Sequence, residues 1–398
     1  MIKKSIAVVA ACILFVNLLY SQDSRPNYLG QTNTITTAVP FLLIAPDARS
    51  GAMGDAGVSS TPDASSMHWN PAKYAFMESK AGFAASYSPW LRAIVSDINL
   101  AYVAGYYKLD DKSAIAGSLL YFTLGDITFT DIQGSTIGNY RPNEFSIDAT
   151  YSRKFSDTWS GAVAARYINS NLTQGVNVQG QATKPGQSVA ADIAVYHQKE
   201  LNWRNFEYAE FALGINISNI GTKISYSDAT TDKDFIPTNL RFGPRLTLDL
   251  DDYNRLSFMI DVSKLLVPTP PIYAQDSLGN PVIENGQRVI EAGKDPNVDV
   301  VQGMIQSWYD APGGFEEEMR EFFFSVGTEY WYNKVFAVRG GFFYENKYKG
   351  NRKYFTLGAG LKYNVFGLDF SYLIPLEQQN PLENTLRFTL TFDFAEFE

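Results

Sequence analysis

The sequence predicts an all-β protein, a barrel of about fourteen antiparallel strands spanning an outer membrane, and three observations carry that prediction. The first is a period of two near the C-terminus, where Leu386, Phe388, Leu390, Phe392 and Phe394 are apolar while Thr385, Arg387, Thr389, Thr391 and Asp393 are polar. Such a segment has one face for hydrocarbon and one for water, and its length matches the ~9–11 residues a tilted strand needs to cross a bilayer. The second is that the pattern recurs fourteen times after residue 80, an even count, as single-chain bacterial barrels require. The third is that the connections alternate between short and long. Only a closed barrel lets strands sit in lipid with every backbone N–H and C=O paired.

Taken in order, Lys3 and Lys4, the apolar run from Ile6 to Tyr20 and the small Ser21 fit a cleaved secretory signal over 1–21, with the mature chain starting near Gln22. The run is short for a membrane-crossing helix, which needs ~20 residues, and no other segment is nearly as apolar. Cys12, the single cysteine, sits in that run without the small neighbours of a lipid-attachment site, so the exported chain is expected to be stable without disulfides. Two lysines and no acid leave with the signal, taking the net charge from −9 to −11 and making nucleic acid an unexpected partner.

Residues 22–81 do not alternate. They contain Pro40, Pro46, Pro62 and Pro71 and the small-residue stretch from Arg49 to Gly57. A fourteen-stranded cylinder is wide enough to need filling, so this segment is expected to be a plug. The barrel is expected over 82–398, with strands near 82–88, 97–108, 112–124, 143–155, 158–170, 187–198, 208–219, 238–250, 254–266, 321–332, 335–345, 353–363, 365–375 and 384–394. Tight turns fall at Asp110–Asp111, Ser156–Asp157, Asp251–Tyr253, Asn333–Lys334 and Asn364, with 199–207 somewhat longer. Long joins alternate with them. Short turns of outer-membrane barrels face the periplasm, which predicts that both barrel ends lie there. Pro244 lacks a ladder donor, so strand 238–250 should hold a bulge or a rim irregularity at that point.

The longest irregular join, 267–320, is expected on the outside and is long enough to be functional. Asn285-Gly286 between Ile283 and Ile290 predicts a hairpin. Met304 to Met319 carries Trp308, Tyr309 and Phe315 beside Glu316, Glu317 and Glu318, and predicts a short amphipathic helix. Exposed apolar and aromatic loop residues mark contact surfaces, which makes Ile283, Asn285, Gly286, Trp308, Tyr309 and Phe315 the candidate partner-binding residues.

Chemistry is sparsely furnished. Serine hydrolysis needs a base, and the chain offers only His68, beside Trp69 with Ser65 and Ser66 nearby, and His197, expected as a solvated side chain at a strand end near the short-turn rim. There is no Gly-x-Ser-x-Gly elbow, so a packed histidine is the expectation and a deacylase an alternative. Clustered Cys or His for zinc are lacking, and the acids of Asp228–Asp234 do not have calcium-loop register. No catalytic, cofactor or metal residue is assigned. The inward strand faces carry Asp148, Arg166, Asp192, Glu210, Arg241, Arg245, Asp249, Asp261, Glu329, Arg339, Asp369 and Arg387. Mixed signs predict ion pairs that tie wall to plug, whereas a selective pore would show a ring of one sign.

The stretch Pro40-Phe-Leu-Leu-Ile-Ala-Pro-Asp-Ala-Arg-Ser-Gly-Ala-Met-Gly-Asp-Ala-Gly57, followed by Asn70-Pro71-Ala72, resembles the opening of the PorV (LptO) proteins of the Bacteroidetes type IX secretion system. Its plug motif is Arg49, Gly51, Gly54, Asp55, Gly57, Asn70 and Pro71. More distantly, the Asn-Pro-Ala element and the strand count are similar to FadL-type transporters of hydrophobic compounds. The resemblance implies an accessory barrel that binds the SprA (Sov) translocon, receives secreted cargo through its C-terminal signal domain and delivers it to the attachment complex containing the PorU sortase. It implies no catalytic motif and no cofactor. Outer-membrane lipid would be the remaining partner. The alternatives are a transporter of small hydrophobic molecules and a lipopolysaccharide O-deacylase.

Overall fold

The computed structural model describes residues 28–92, 95, 97–130, 133–176, 182–204, 206–227, 233–377 and 380–394. The expected signal with Cys12, the start at Gln22 and the acids Asp228 and Asp232 lie outside the described residues. Residues up to Gln31 form a unit of their own, in which Tyr28–Gly30 make one 3-10 turn.

From Thr32 onward the chain builds one closed antiparallel barrel. Its strands are β1 (Ala81–Pro89), β2 (Asn99–Lys108), β3 (Ser113–Thr123), β4 (Asn143–Lys154), β5 (Trp159–Asn171), β6 (Gly186–Glu200), β7 (Tyr208–Gly221), β8 (Asn239–Asp249), β9 (Asn254–Leu265), β10 (Phe322–Tyr332), β11 (Phe336–Tyr344), β12 (Lys353–Tyr363), β13 (Phe366–Pro375) and β14 (Leu386–Phe394). Each pairs with its neighbours in sequence, and β14 closes onto β1 from Ala81↔Phe394 to Tyr87↔Phe388. All fourteen predicted strands are present, each end within two residues of its expected place.

The cause is visible in the faces. Along β9, Phe258 and Ile260 are exposed while Ser257, Met259 and Asp261 are buried. On β12, Phe355 and Leu357 are exposed around buried Thr356. The exposed face is apolar because it meets acyl chains, and rings such as Tyr107, Tyr151, Trp159 and Tyr363 at one rim and Tyr87, Tyr121 and Phe388 toward the other make the aromatic girdles of a membrane barrel. Among the described residues no helix is long and apolar enough to cross a membrane. Connections 109–112, 155–158, 201–207, 250–253, 333–335 and 364–365 gather at one rim, and the longer ones at the other.

Two local expectations need correcting. Pro244 makes neither bulge nor rim defect: it sits in mid-strand, pairs opposite Leu213, and the register with β9 is the same on both sides of it, Phe242↔Val262 and Arg245↔Met259. Only the pairs at Gly243 and Pro244 themselves are missing on the β9 side, since proline has no N–H to donate. The real shift lies between β6 and β7 at Ala191/Ile193. There Asn219 takes φ 61° and its N–H donates to Asp192 at 2.8 Å. Finally, Met304–Met319 is not one helix. Val300–Gln306 and Phe315–Arg320 are separate, because Pro312, Gly313 and Gly314, the last at φ 68°, break the run.

Residues 32–80 form short turns and single helical turns at Pro40–Leu43, Ala48–Gly51, Ser66–Trp69 and Pro71–Phe76. Their apolar side chains pack on the buried face of the strands. Phe41 and Leu42 join Tyr102, Leu120, Phe122 and Ile168, Met67 and Tyr74 join Ala84 and Tyr106, and Met53 meets Met259. At about 1.5–3 kcal/mol per large apolar side chain, these contacts outweigh any propensity such short helices have.

Candidate functional site

Two places concentrate the predicted residues: the junction of the N-terminal segment with the strands, and the loop 266–321. At the junction, Asp47 caps the turn Ala48–Gly51 by accepting from Ser50 N (2.8 Å), and its other oxygen accepts from Trp69 Nε1 at 2.5 Å. Arg49 then reaches Glu329 of β10 and Asp63, both at 2.8 Å. Glu329 also takes Arg339 of β11 at 2.7 Å, and Arg339 takes Asp369 of β13 at 2.6 Å. Asp55 accepts from the Tyr354 hydroxyl at 2.6 Å and lies 3.6 Å from Arg387 of β14. Gly54 N donates to Thr356, and Gly57 N and Val58 N both donate to Asp261 of β9. Asn70 caps the turn that Pro71 opens, accepting from Ala72 N, while its amide donates to Val58 O and to Val195 O of β6.

The seven motif residues are thus explained by bonding or by space. A side chain on Gly51 would run into Arg387, and one on Gly57 into the Trp69 ring. Gly54, at φ 68°, also presses against the Phe342 backbone, where a Cβ would come within 2.6 Å. The strands answer with glycines that sequence reading overlooked. A Cβ on Gly341 would sit 2.1 Å from Gly54 N, and one on Gly214 would sit 2.0 Å from Val58 O. The signal was available, since glycine inside a strand often marks the approach of another backbone.

Ten of the twelve predicted inward charges are in ion pairs, and the other two, Arg241 and Asp261, contact the Trp69 ring and backbone N–H groups. Arg245 holds Glu210 at 2.6 Å, and its Nε donates to Ser59 O at 2.8 Å. Arg166 bridges Asp148 and Asp192 beside the register shift. Arg255 pairs with Asp249, and Arg241 stacks over Trp69 at 4.5 Å. A cavity of about 510 Å³ at the short-turn side is lined by Arg49, Asp63, Glu210, Arg245, Glu329 and Arg339. Phe76, Met77 and Leu361 line it beside these charges.

His68 meets Trp69 edge-on at 4.8 Å, and Ser66 Oγ donates to Asp63 at 3.2 Å rather than to an imidazole. His197 Nδ1 lies 2.9 Å from Thr158 O, with its ring against Trp159, so it is half-buried where a solvated side chain was expected. Among the described residues no group of acids, histidines and cysteines is placed to hold a metal.

The loop has a tip and a base. At the tip, Ile283–Glu284 pairs with Gln287–Arg288 across Asn285 (φ 52°) and Gly286 (φ 80°), the two-residue hairpin the Asn-Gly pair predicts. Ile283 is 63% exposed. The base is a cluster of buried charge. Lys264 contacts Glu318 (3.2 Å) and Glu321, while Lys349 contacts Glu317 (2.6 Å) and Glu321 (2.9 Å). Asp310 N and Ala311 N donate to Glu318, Gly313 N to Glu317, and Thr269 N to Asp310. Burial, with Glu318 nearby, pushes the Asp310 carboxyl up to about 7. Trp308, Tyr309 and Phe315 stay exposed on this base.

A family model described as type IX secretion system protein PorV matches residues 27–272, a span holding the whole junction motif and β1–β9. No curated protein sequence matches the chain. Among solved structures, a deltaS2S3 mutant of the monoaromatic hydrocarbon channel TodX is 12% identical, with a TM-score of 0.50, 88% of this chain and 99% of that one covered. The Ralstonia pickettii toluene transporter TbuX is 12% identical (TM-score 0.47, 88% and 98% covered), and a Pseudomonas aeruginosa FadL homologue is 10% identical (TM-score 0.42, 92% and 100% covered). Identities this low speak to the fold alone, a FadL-like barrel.

Proposed function

The chain belongs to the PorV family of type IX secretion system proteins, and from that premise we propose that it is a cargo-binding shuttle of protein export. It is an outer-membrane barrel of that system. In the proposed role it docks on the SprA-type translocon, takes secreted proteins by their C-terminal signal domains and passes them to the PorU-containing attachment complex. A cleaved signal over 1–21 delivers it, both barrel ends face the periplasm, and the loop 266–321 stands outside.

The observation that supports this reading best is the bonding of residues 47–75 to β4, β6, β9, β12 and β14 together. A segment tied to strands on all sides acts as a plug, leaving no bore for a folded cargo. Cargo must then be held from outside. A stable contact buries upwards of ~1,000 Å² in total, and the loop, with Ile283, Asn285 and Gly286 at its tip, is the largest surface for it.

Deleting 271–315 in the producing cell tests the assignment. Secreted proteins should accumulate inside while the barrel still reaches the outer membrane. Normal secretion from that strain would refute the shuttle. His68→Ala should leave lipopolysaccharide acylation unchanged; an altered acylation pattern would favour the deacylase.

A further inference from the structure

Alternation along β9 turns Phe258 and Ile260 outward, and Lys264 falls on the same face, paired with Phe322 of β10. β10 likewise turns Phe324 and Val326 outward, with Phe322 in line. An outward Lys264 at this rim should be exposed, yet it is buried. What covers it is the base of the loop: Trp308 lies 6.2 Å from Phe322, ring to ring, and Glu318 and Glu321 pair with the ammonium. Trp308 is therefore folded down against the outside of the wall, while Glu317 and Glu321 of the same stretch bond Asn33 and Lys349. The Lys264–Phe322 pair stands two residues, about 7 Å, beyond the Val262–Phe324 pair of the apolar wall.

We propose that the exposed face of this base, carrying Trp308, Tyr309, Phe315 and Met319, lies in the headgroup boundary of the surrounding lipid leaflet. The face continues a wall that already meets acyl chains, so lipid reaches it without any further partner. Its chemistry suits that depth, since Trp and Tyr rings settle where one side is apolar and the other wet. Lys294, 3.6 Å from the Tyr309 ring centroid, adds a cation where lipid phosphates lie. In water the same residues would be an apolar patch with nothing to cover it. The inference does not rest on the secretion reading. It divides the loop: the base is anchored in lipid, and the tip at 283–288 is left to protein.

Full-length protein in phosphatidylethanolamine–phosphatidylglycerol vesicles tests this, the emission of wild type less that of Trp308→Phe isolating one indole. Lipid brominated on its acyl chains should quench that difference emission, and aqueous iodide should not. Quenching by iodide with none by bromine would overturn the proposal and return the face to solvent. Quenching by neither, in protein that migrates as a multimer or with a bound protein, would also overturn it. Should Trp308→Phe not fold, by the heat-shifted migration of a barrel, a polarity-sensitive dye on Phe315→Cys serves instead. That position is 80% exposed, and the only other cysteine is Cys12. A blue-shifted dye emission would support the proposal, and a water-like one would sink it.

Discussion

The junction around Arg49 and the base of the loop around Asp310 are both built on buried carboxylates, but they neutralise them differently. At the junction Glu329, Asp63, Asp369 and Asp55 each face an arginine, and Asp261 takes two backbone N–H groups. Guanidinium forks stay charged and fix geometry. At the loop base Asp310, Glu317, Glu318 and Glu321 share Lys264 and Lys349. Burial raises two of these acids, Asp310 and Glu318, above the ordinary carboxylate range. The junction is made to be permanent, whereas the loop base holds on terms that depend on protonation.

The contrast is broken most severely by Arg49→Ala, which leaves Glu329 with Arg339 alone and Asp63 with no ion-pair partner among the described residues. Removing one partner of a buried pair costs about 3–5 kcal/mol, so the temperature at which the barrel loses its compact migration should fall sharply, with Arg49→Lys recovering little of it. Next comes Gly341→Ala, whose Cβ would strike Gly54 and Met53. Overpacking of this kind costs about 1–3 kcal/mol. Gly340→Ala, with its nearest neighbour at 3.8 Å, should be neutral in the same melt.

A smaller effect sharpens the other side. Asp310 titrates near 7 in the fold against 3.8 as a free side chain, faced by Glu318, Glu321 and Lys264. The folded loop therefore holds a proton that the detached loop releases, and its attachment weakens as pH rises from about 4 through 7. Protease should cut the loop faster at pH 8 than at pH 5, and Asp310→Asn should flatten that difference. The smallest effect on the fold belongs to Ile283→Ser at the exposed tip, expected to change stability by no more than ~0.5 kcal/mol while reducing the cargo recovered with the barrel.

The strands were legible because lipid allows no exception: Phe258, Ile260, Phe355 and Leu357 had to alternate with polar neighbours. The ion pairs were legible for a related reason, since Glu329 or Arg245 on an inward face must find a partner. The N-terminal segment was not, as helical turns of four residues such as Ala48–Gly51 carry no period to read. The shift at Ala191/Ile193 has no sequence signal beyond Asn219, a residue that tolerates φ 61°. The split of the loop helix was readable, since Pro312-Gly313-Gly314 is a strong stop.

The seam between β1 and β14 sets an order of assembly. Thr389, on the last strand to be synthesised, bonds both Ser86 of the first strand and the backbone of Ala48, which precedes it. The seam cannot zip until β14 has been made, and the leading residues must already be seated when it does. Until then two raw strand edges are open to any stray polypeptide.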